Sequence, residues 1–562
     1  MKKHLITSAL PYINGVKHLG NLVGSLLPAD VYARFLRQQG HEVLCICGTD
    51  DHGAPAEIAA QQAGQSVESF TAAMYETQAE IYRQFGLDFN YFGRSSAPSN
   101  HEITQQLYRQ LKAEGYIYEK NTKQFFSLTD NRFLPDRYIT GDCPHCQFDR
   151  ARGDQCENCG KLLEPTDLQN PRSTLNADSP LELRETRHLY LALSKLEPKV
   201  SAWINSNDHW DKQAKGIARK WMQEGLHDRC ITRDLRWGIA VPESGMEDKV
   251  FYVWFDAPNG YISMTKDWAE STGQPEAWQS WWMDSDDVEY TQFMAKDNLP
   301  FHIVFWPSML LGANADYKLA DVIKGFNWLN YYGGKFSTSQ QHGIFTDTAL
   351  KLYPADYWRY YLMSIAPENA DSSFTIEDFA SVVNKDLGGV LGNFVNRVST
   401  LLKKYFDLTI PDIGQQIALP DDVWQSVGDI LEQYESNLRG LRFRQCTQDL
   451  QRLFSTGNVF ISAAEPWKVA KTDINACGLI LGQCLYLIFI FAVASYPFIP
   501  HISGQLFKLF GTESSPADYS LESICENNRL PFNSGTTIHE IGLLVSMISP
   551  ETVEELKQRF GC

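Results

Sequence analysis

Cysteine is scarce, with 12 in 562 residues. That excludes a disulfide framework, which stabilises short secreted chains rather than one of this length. No secretory leader is expected either. The opening MKKHLITSALPY sets two lysines before a short apolar stretch broken by Thr, Ser and Pro, whereas a secretory core needs roughly 7–15 apolar residues. No internal repeat and no low-complexity tract is present, which excludes solenoids, collagen and disordered polymers. Positive charge is in deficit: 50 Lys and Arg face 68 Asp and Glu, for a net charge of −18. The balance excludes indiscriminate attachment to nucleic acid, which requires a broadly basic surface.

What is present fits a multidomain enzyme of the cytoplasm, with 43% apolar and 21% charged residues and length enough for three or four domains. From Ile474 to Phe507 no charged residue occurs. The run is long enough to span a bilayer, but Gln483, Ser495, His501 and two prolines interrupt it, so it reads as the buried central helix of a bundle and no membrane is expected. Cys45, Cys47, Cys446, Cys477 and Cys484 lie in apolar patterns and read as small core residues.

The first 47 residues read strand, loop, helix, strand. A β-prone run His4–Ala9 meets Pro11 and Asn14-Gly15, a helical face follows through Leu22, Leu26, Ala29, Ala33 and Leu36, and Val43–Cys47 is a second strand. This is the opening of a parallel α/β nucleotide-binding fold. The pattern changes between about 118 and 228, strand signals return at Val250–Phe255 and His302–Phe305, and beyond about Asp378 nearly everything is helical. The fold class expected is therefore α/β: a split Rossmann-like parallel-sheet catalytic domain with a zinc-binding insertion, followed by an all-α helical bundle.

The zinc expectation rests on Cys143-Pro-His-Cys146 and, nine residues on, Cys156-Glu-Asn-Cys159. Two such knuckles supply four thiolates to one tetrahedral Zn²⁺. Four thiolates close the site, so the metal is structural and His145 is left out. Two further signatures point to phosphate. His18-Leu19-Gly20-Asn21 opens the first helix, where free N–H groups and the helix dipole favour anions and where Gly20 lets a ligand approach the backbone. Far downstream, Lys335-Phe336-Ser337-Thr338-Ser339 places a lysine and three hydroxyls where they can close on a polyphosphate.

The two signatures, about 315 positions apart, resemble the "HIGH" and "KMSKS" sequences of class I aminoacyl-tRNA synthetases. The blocks ITSALPYING, HLGNLVGSLLPADVYARFLR, EVLCICGTDDHG, FLPDRY, YVWFDAPNGY, FHIVFWPSML, YPADYWRYYL and AAEPWKVAK extend the resemblance over nearly the whole chain, to the methionyl-tRNA synthetase family. The resemblance implies ATP-dependent ligation of L-methionine to tRNA(Met) through a methionyl-adenylate, for initiation and elongation. It implies Mg²⁺ with ATP, and a monomer, since the chain ends soon after the helical region.

It also implies residue roles. His18, Asn21, Lys335 and Thr338 serve catalysis. ATP is bound by these together with Tyr12, Gly20, Ser339, Lys296, Asp297 and Arg233. Methionine lies among Leu10, Tyr12, Trp254, Tyr261, His302 and Trp306, with Asp50 on its ammonium. Cys143, Cys146, Cys156 and Cys159 hold zinc, while Asn393, Arg397 and Trp467 read the anticodon. A thioether suits an aromatic pocket, an ammonium needs a carboxylate, and splayed RNA bases stack on aromatics. The domains expected are 1–117 and 229–330 for the split catalytic domain, 118–228 for the insertion, 331–383 for the KFSTS loop and stem-contact region, 384–540 for the anticodon domain and 541–562 for the tail.

One departure stands out: Thr338 replaces the second lysine of the KMSKS pattern, so Lys335 carries more of the charge. Two other functions fit parts of the pattern. A small-molecule adenylyltransferase shares the His-x-Gly helix start but not the zinc insertion or helical region, and a zinc-containing RNA-binding paralogue with weakened catalysis fits the loss at Thr338.

Overall fold

The computed structural model describes residues 2–561 except 154, 155, 157, 160, 162, 284, 337–341 and 541. Its centre is a parallel sheet of five strands: β1 (Lys3–Ser8), β2 (Glu42–Thr49), β3 (Tyr91–Arg94), β4 (Val288–Ala295) and β5 (Val322–Phe326), in the order β5-β4-β1-β2-β3. Ile6 lies level with Cys45 on one side and with Thr291 on the other. Leu5, Ile6, Leu44, Cys45, Ile46 and Cys47 are fully buried, as in parallel strands covered on both faces. Strand order reverses between β1 and β4, and in open α/β sheets ligands sit at that reversal, beyond the carboxyl ends of the strands. The HLGN segment leaves β1 there, and Lys296-Asp297 leaves β4.

The helix after β1 opens at Leu19–Asn21, passes through a wide π-type turn at Leu22–Leu26 and continues as Leu27–Gln38. Its inner face buries Leu22, Val23, Leu26, Leu27, Val31 and Phe35.

Between β3 and β4 the chain makes a long antiparallel hairpin, Ile117–Ser127 with Leu181–Leu191, paired from Ile117 opposite Leu191 to Ser127 opposite Leu181. The tip carries a small sheet in which Ile139–Asp142 pairs with Ala151–Arg152 and Gln169–Ser173. Glu57, on the helix Ala54–Gln62, ties this tip to the catalytic core. It accepts from the Tyr138 hydroxyl at 2.5 Å and from the Arg132 guanidinium at 3.3 Å, and takes the backbone N–H groups of Arg236 and Trp237. The helices Leu193–Ser206 and Lys212–Glu224 return from the hairpin and share the core of the sheet, through Leu193, Leu196, Ala214 and Ala218.

The C-terminal half is a helical bundle around Ile474–Ser495, buried along most of its length. The apolar run is thus covered by protein. Neighbouring helices Asn393–Phe406, Asp421–Arg439, Phe443–Ala464 and Pro500–Lys508 pack on it. One continuous core joins bundle and sheet, running from Ile6 and Phe293 to Leu485 and Phe491.

Candidate active site

The loop after β1 brings the two distant signatures together. His18 caps the first helix: its Nδ1 accepts from the Asn21 N–H, and the Asn21 side chain accepts from the His18 N–H, both at 3.3 Å. The segment that follows KFSTS is bonded to this loop. The backbone N–H and the hydroxyl of Thr346 both donate to the Lys17 carbonyl at 2.9 Å, and the Leu19 N–H donates to Ile344 at 3.1 Å. Phe336 stacks on the His18 ring at 4.7 Å. Gly20 makes this stack possible, because a Cβ there would lie 3.0 Å from the His18 ring and 3.3 Å from Phe336. Burial, then the neighbouring Lys17 ammonium, holds the His18 imidazole down to about 3, so it is neutral at physiological pH.

Lys335 ends the short strand Gly334–Lys335 and is exposed. Its ammonium lies 4.5 Å from the Trp328 ring centroid, and that of Lys296 lies 4.1 Å from the same ring. Asp371 accepts from Lys296 at 2.7 Å and from the Trp328 N–H at 3.0 Å. Two cations from different blocks are therefore gathered by an indole and a carboxylate that the sequence reading missed. Asp297 is exposed beside them. Thr338 and Ser339 lie outside the described residues.

The aromatic residues expected around methionine form a buried cluster. His302 is buried, with Nδ1 bonded to the Asn298 carbonyl at 2.9 Å. That bond fixes the proton on Nδ1, so Nε2 accepts from the Tyr261 hydroxyl, also at 2.9 Å. Burial pulls the ring down to about 4, which keeps it uncharged at neutral pH. Trp306 crosses Tyr261 edge to face at 5.5 Å and donates its indole N–H to Asn259 at 3.1 Å. Trp254 packs on Phe301 at 4.1 Å. Leu10 presses on the helix at Gly260, where a Cβ would meet its Cδ1 at 3.3 Å. Tyr12 is 37% exposed, and its loop is held by Gln78, which donates to the carbonyls of Tyr12 and Gly15.

Asp50, at the end of β2, is buried, and its Oδ1 has no hydrogen-bond partner. Burial, then Asp256 and Asp51, pushes its carboxyl well above the usual range. A buried acceptor with no partner is costly, and a cationic ligand group would satisfy it. Arg233 is also buried. It spans both Asp136 oxygens at 3.0 Å and lies 3.7 Å over the Tyr252 ring, which links the insertion to the wall carrying Trp254.

In the insertion the four cysteines converge, with their sulfurs all within 4.8 Å of one another. Cys143 and Cys159 sulfurs lie 3.9 Å apart, and those of Cys146 and Cys156 3.6 Å apart. Tetrahedral Zn–S bonds of about 2.3 Å require S–S separations of about 3.8 Å, so the cluster fits one zinc ion. The Asn158 amide, 3.5 Å from the sulfur, then the Phe148 backbone N–H, hold the Cys146 thiol down to about 6.

On the bundle, Asn393 and Arg397 share a helix face. Both point to Asn458 Oδ1, at 3.4 and 3.5 Å, and Arg397 also reaches Ser462. The guanidinium lies 5.7 Å from the Trp467 ring centroid. Asn458 and Ser462 escaped the sequence reading, although their i, i+4 spacing on Phe443–Ala464 marks a common face.

Comparison with known proteins gives a consistent result. Residues 4–399 match the family model described as tRNA synthetases class I (M), and residues 410–562 match the anticodon binding domain of methionyl tRNA ligase. Methionine–tRNA ligase 1 of Acaryochloris marina is 51% identical over 559 residues and covers 100% of both chains. Methionine–tRNA ligase of Streptomyces avermitilis is 48% identical over 572 residues, spanning 100% of this chain and 99% of its own. Among solved structures, Mycobacterium tuberculosis methionyl-tRNA synthetase in complex with methionyl-adenylate shares the fold, with a TM-score of 0.76 at 22% identity, over 97% of this chain and 100% of that one.

Proposed function

The chain belongs to the methionyl group of class I tRNA synthetases, and from that premise we propose that it ligates L-methionine to tRNA(Met) through a methionyl-adenylate, for translation initiation and elongation. The observations that support this reading are a neutral His18 stacked on the residue after Lys335, a lysine pair at Trp328, and a buried aromatic cluster with an unpartnered buried carboxylate at the end of β2.

Methionine enters with its ammonium on Asp50 and its thioether among Leu10, Tyr12, Trp254, Tyr261, His302 and Trp306. Sulfur packs well against ring edges, and the neutral His302–Tyr261 pair leaves no buried charge to repel it. ATP lies with its phosphates over the Leu19–Asn21 helix start, bound by His18, Gly20 and Asn21, and with its ribose toward Lys296 and Asp297. Lys335, Thr338 and Ser339 serve the β- and γ-phosphates. Attack of the methionine carboxylate on the α-phosphorus forms the mixed anhydride and releases pyrophosphate. The terminal hydroxyl of tRNA then takes the methionyl group. No side chain is modified covalently, and the rate comes from positioning and from charge stabilisation on the pentavalent phosphorus.

Arg233 acts from behind the pocket wall, through its Asp136 pair. Mg²⁺ accompanies ATP, Cys143, Cys146, Cys156 and Cys159 would hold one structural zinc, and the enzyme works as a cytoplasmic monomer. Asn393, Arg397 and Trp467 read the anticodon, with Asn458 and Ser462 orienting the guanidinium.

The test is a paired assay. Methionine, and not isoleucine or valine, should support ATP–pyrophosphate exchange. Trp467→Ala should spoil tRNA charging while leaving that exchange at its wild-type rate, because the indole lies in the bundle and not at the phosphates. Equal loss of both activities would assign Trp467 to folding instead of to tRNA.

A further inference from the structure

Three buried carboxyl groups gather at the proposed ammonium anchor: Asp50 itself, its neighbour Asp51, and Asp256, tied to this segment by its hydrogen bond with His52. Asp50 is 7% exposed, and Asp51 and Asp256 are fully buried. Each has an Oδ1 without a hydrogen-bond partner. Asp256 closes the short helix Val253–Asp256, which also carries Trp254, so it joins the ammonium anchor to the wall of the thioether pocket.

The charged and titratable groups facing this cluster come from every element around it. From β2's end, His52 shares a 3.0 Å hydrogen bond with Asp256 through Nδ1. From the end of β3, the Arg94 guanidinium donates to Asp51 at 2.7 Å, and the Ser96 hydroxyl reaches the same oxygen at 2.5 Å. From the HLGN loop, the buried Lys17 ammonium donates to Asn14 at 2.7 Å. From the helix Pro98–Ala113, His101 sets its ring 5.8 Å from that of His52, and from the helix Gly260–Ser271 comes Tyr261, whose hydroxyl is committed to His302.

Only Asp51 therefore has a guanidinium of its own. Asp50 and Asp256 have only the Lys17 ammonium between them, so three buried carboxyl groups meet two cations and cannot all remain ionised. Burial, then Asp51, holds Asp256 well above the usual carboxyl range, as burial and both neighbours do for Asp50. His52 is brought down to about 4 by burial and adds no positive charge. Burial lowers Lys17 to about 7, with Asp50 opposing, so Lys17 keeps its proton through the mildly acidic range.

We propose that Asp256 is a positioning residue that keeps the Asp50–Asp256 pair holding one proton in the free enzyme, so that methionine's ammonium, on reaching Asp50, expels that proton to solvent. The inference rests on Asp50 being the ammonium anchor. In the step, the neutral carboxyl of Asp50 and the methionine zwitterion give an Asp50 carboxylate paired with the ammonium and one proton taken up by buffer. No bond to carbon changes.

The experiment is calorimetric titration of methionine into the full chain in two buffers of different ionisation enthalpy, repeated between about pH 5.5 and pH 7. The wild-type enzyme should release about one proton per methionine at the acid end, and its affinity should tighten as the pH rises. Asp256→Asn keeps the shape and the contact with His52 but removes the charge that holds the proton. It should release less than about half a proton, show a nearly flat pH profile, and bind methionine more tightly than the wild type at the acid end.

Buffer-independent heats for the wild type, or an Asp256→Asn profile matching the wild type, would overturn the proposal. If Asp256→Asn does not fold, the wild-type titration decides alone. Asp50→Asn separates the two levels of the argument. Loss of at least about 100-fold in methionine affinity supports the anchor whatever the proton count, since a charged hydrogen-bonding partner is removed from a buried cation. Wild-type affinity in that variant removes the anchor itself.

Discussion

At Gly20 a single hydrogen atom decides whether the site can form. A methyl group there would crowd the His18 ring at 3.0 Å and the Phe336 ring at 3.3 Å, and both rings belong to the stack that joins the two signatures. Gly20→Ala should therefore fold, since the site is at a helix start and alanine is a good helix former, yet displace the imidazole. A shift of about 1 Å costs on the order of 100-fold in rate, which ATP–pyrophosphate exchange would register with the far-ultraviolet dichroism unchanged. Lys335 poses the complementary case. It is exposed, it rests on Trp328, and the second lysine of its motif is Thr338, so little else on that segment offers positive charge. Lys335→Ala should lower adenylate formation by about 100- to 1,000-fold, the loss expected of one preorganised donor to developing charge. An unchanged rate in single-turnover exchange would mean that Lys296, over the same indole, carries the phosphate charge instead.

Among the elements, the knuckle shows how far sequence reading reaches and where it stops. Four cysteines at fixed short spacing announce a metal site because the ligands are local: Cys143 N–H bonds the Phe148 carbonyl and Cys156 N–H bonds the Lys161 carbonyl, each within one turn. Cys143→Ser should lower bound zinc from one per chain toward zero, measured by elemental analysis. The tip has its own small core of Leu134, Tyr138, Ile139 and Ala151, so peptide hydrogen exchange should rise at the tip while β1 and β2 stay protected. Full zinc content in that variant would sink the assignment. The HLGN helix start, the first two strands and the bundle were legible for the same reason, being written in short motifs or regular periods; the strand expected at His302–Phe305 is instead a π-type helical turn, and Val250–Phe255 holds only the short strand Val250–Phe251 before the helix Val253–Asp256. What escaped was long-range. Asp371 meets Lys296 across 75 positions, Asp136 meets Arg233 across 97, and Thr346 meets Lys17 across 329. No period or motif reports such a pairing, because it depends on how finished elements stack. Asn458 was missed differently: its face on a long helix is visible, but nothing local shows that it meets Asn393 and Arg397 across the bundle.

For the whole molecule, the question is how a bundle that reads an anticodon stays in register with a sheet that handles ATP. The basic residues of 381–562 number 14 against 19 acidic ones, so charge does not weld the halves together. A buried polar joint does. Asp30, on the helix behind the HLGN turn, accepts from Arg34 at 3.0 Å and from Arg359 at 2.6 Å, and both Asp30 and Arg359 are fully buried. Arg359 also donates to the carbonyls of Phe498 at 2.9 Å and Pro497 at 2.9 Å, where the central bundle helix has just ended, and to Phe85 at 3.2 Å under the sheet. Arg34 completes the joint on the Tyr496 hydroxyl at 2.7 Å. One planar guanidinium thus fixes the exit of the bundle's central helix against the helix that presents His18, within an apolar core that both halves share. Arg359→Met preserves the volume of the side chain but leaves Asp30 with a single cation and strands three carbonyl groups away from water. Breaking a buried pair in this way costs about 3–5 kcal/mol. Because the core is continuous, the loss should fall on both halves together: calorimetry should show one transition moved down in temperature, with exchange and charging falling in parallel as the protein is warmed. A bundle that melts apart from an intact, exchange-competent sheet would show instead that the apolar contacts alone hold the halves in register and that the Asp30–Arg359 joint is dispensable.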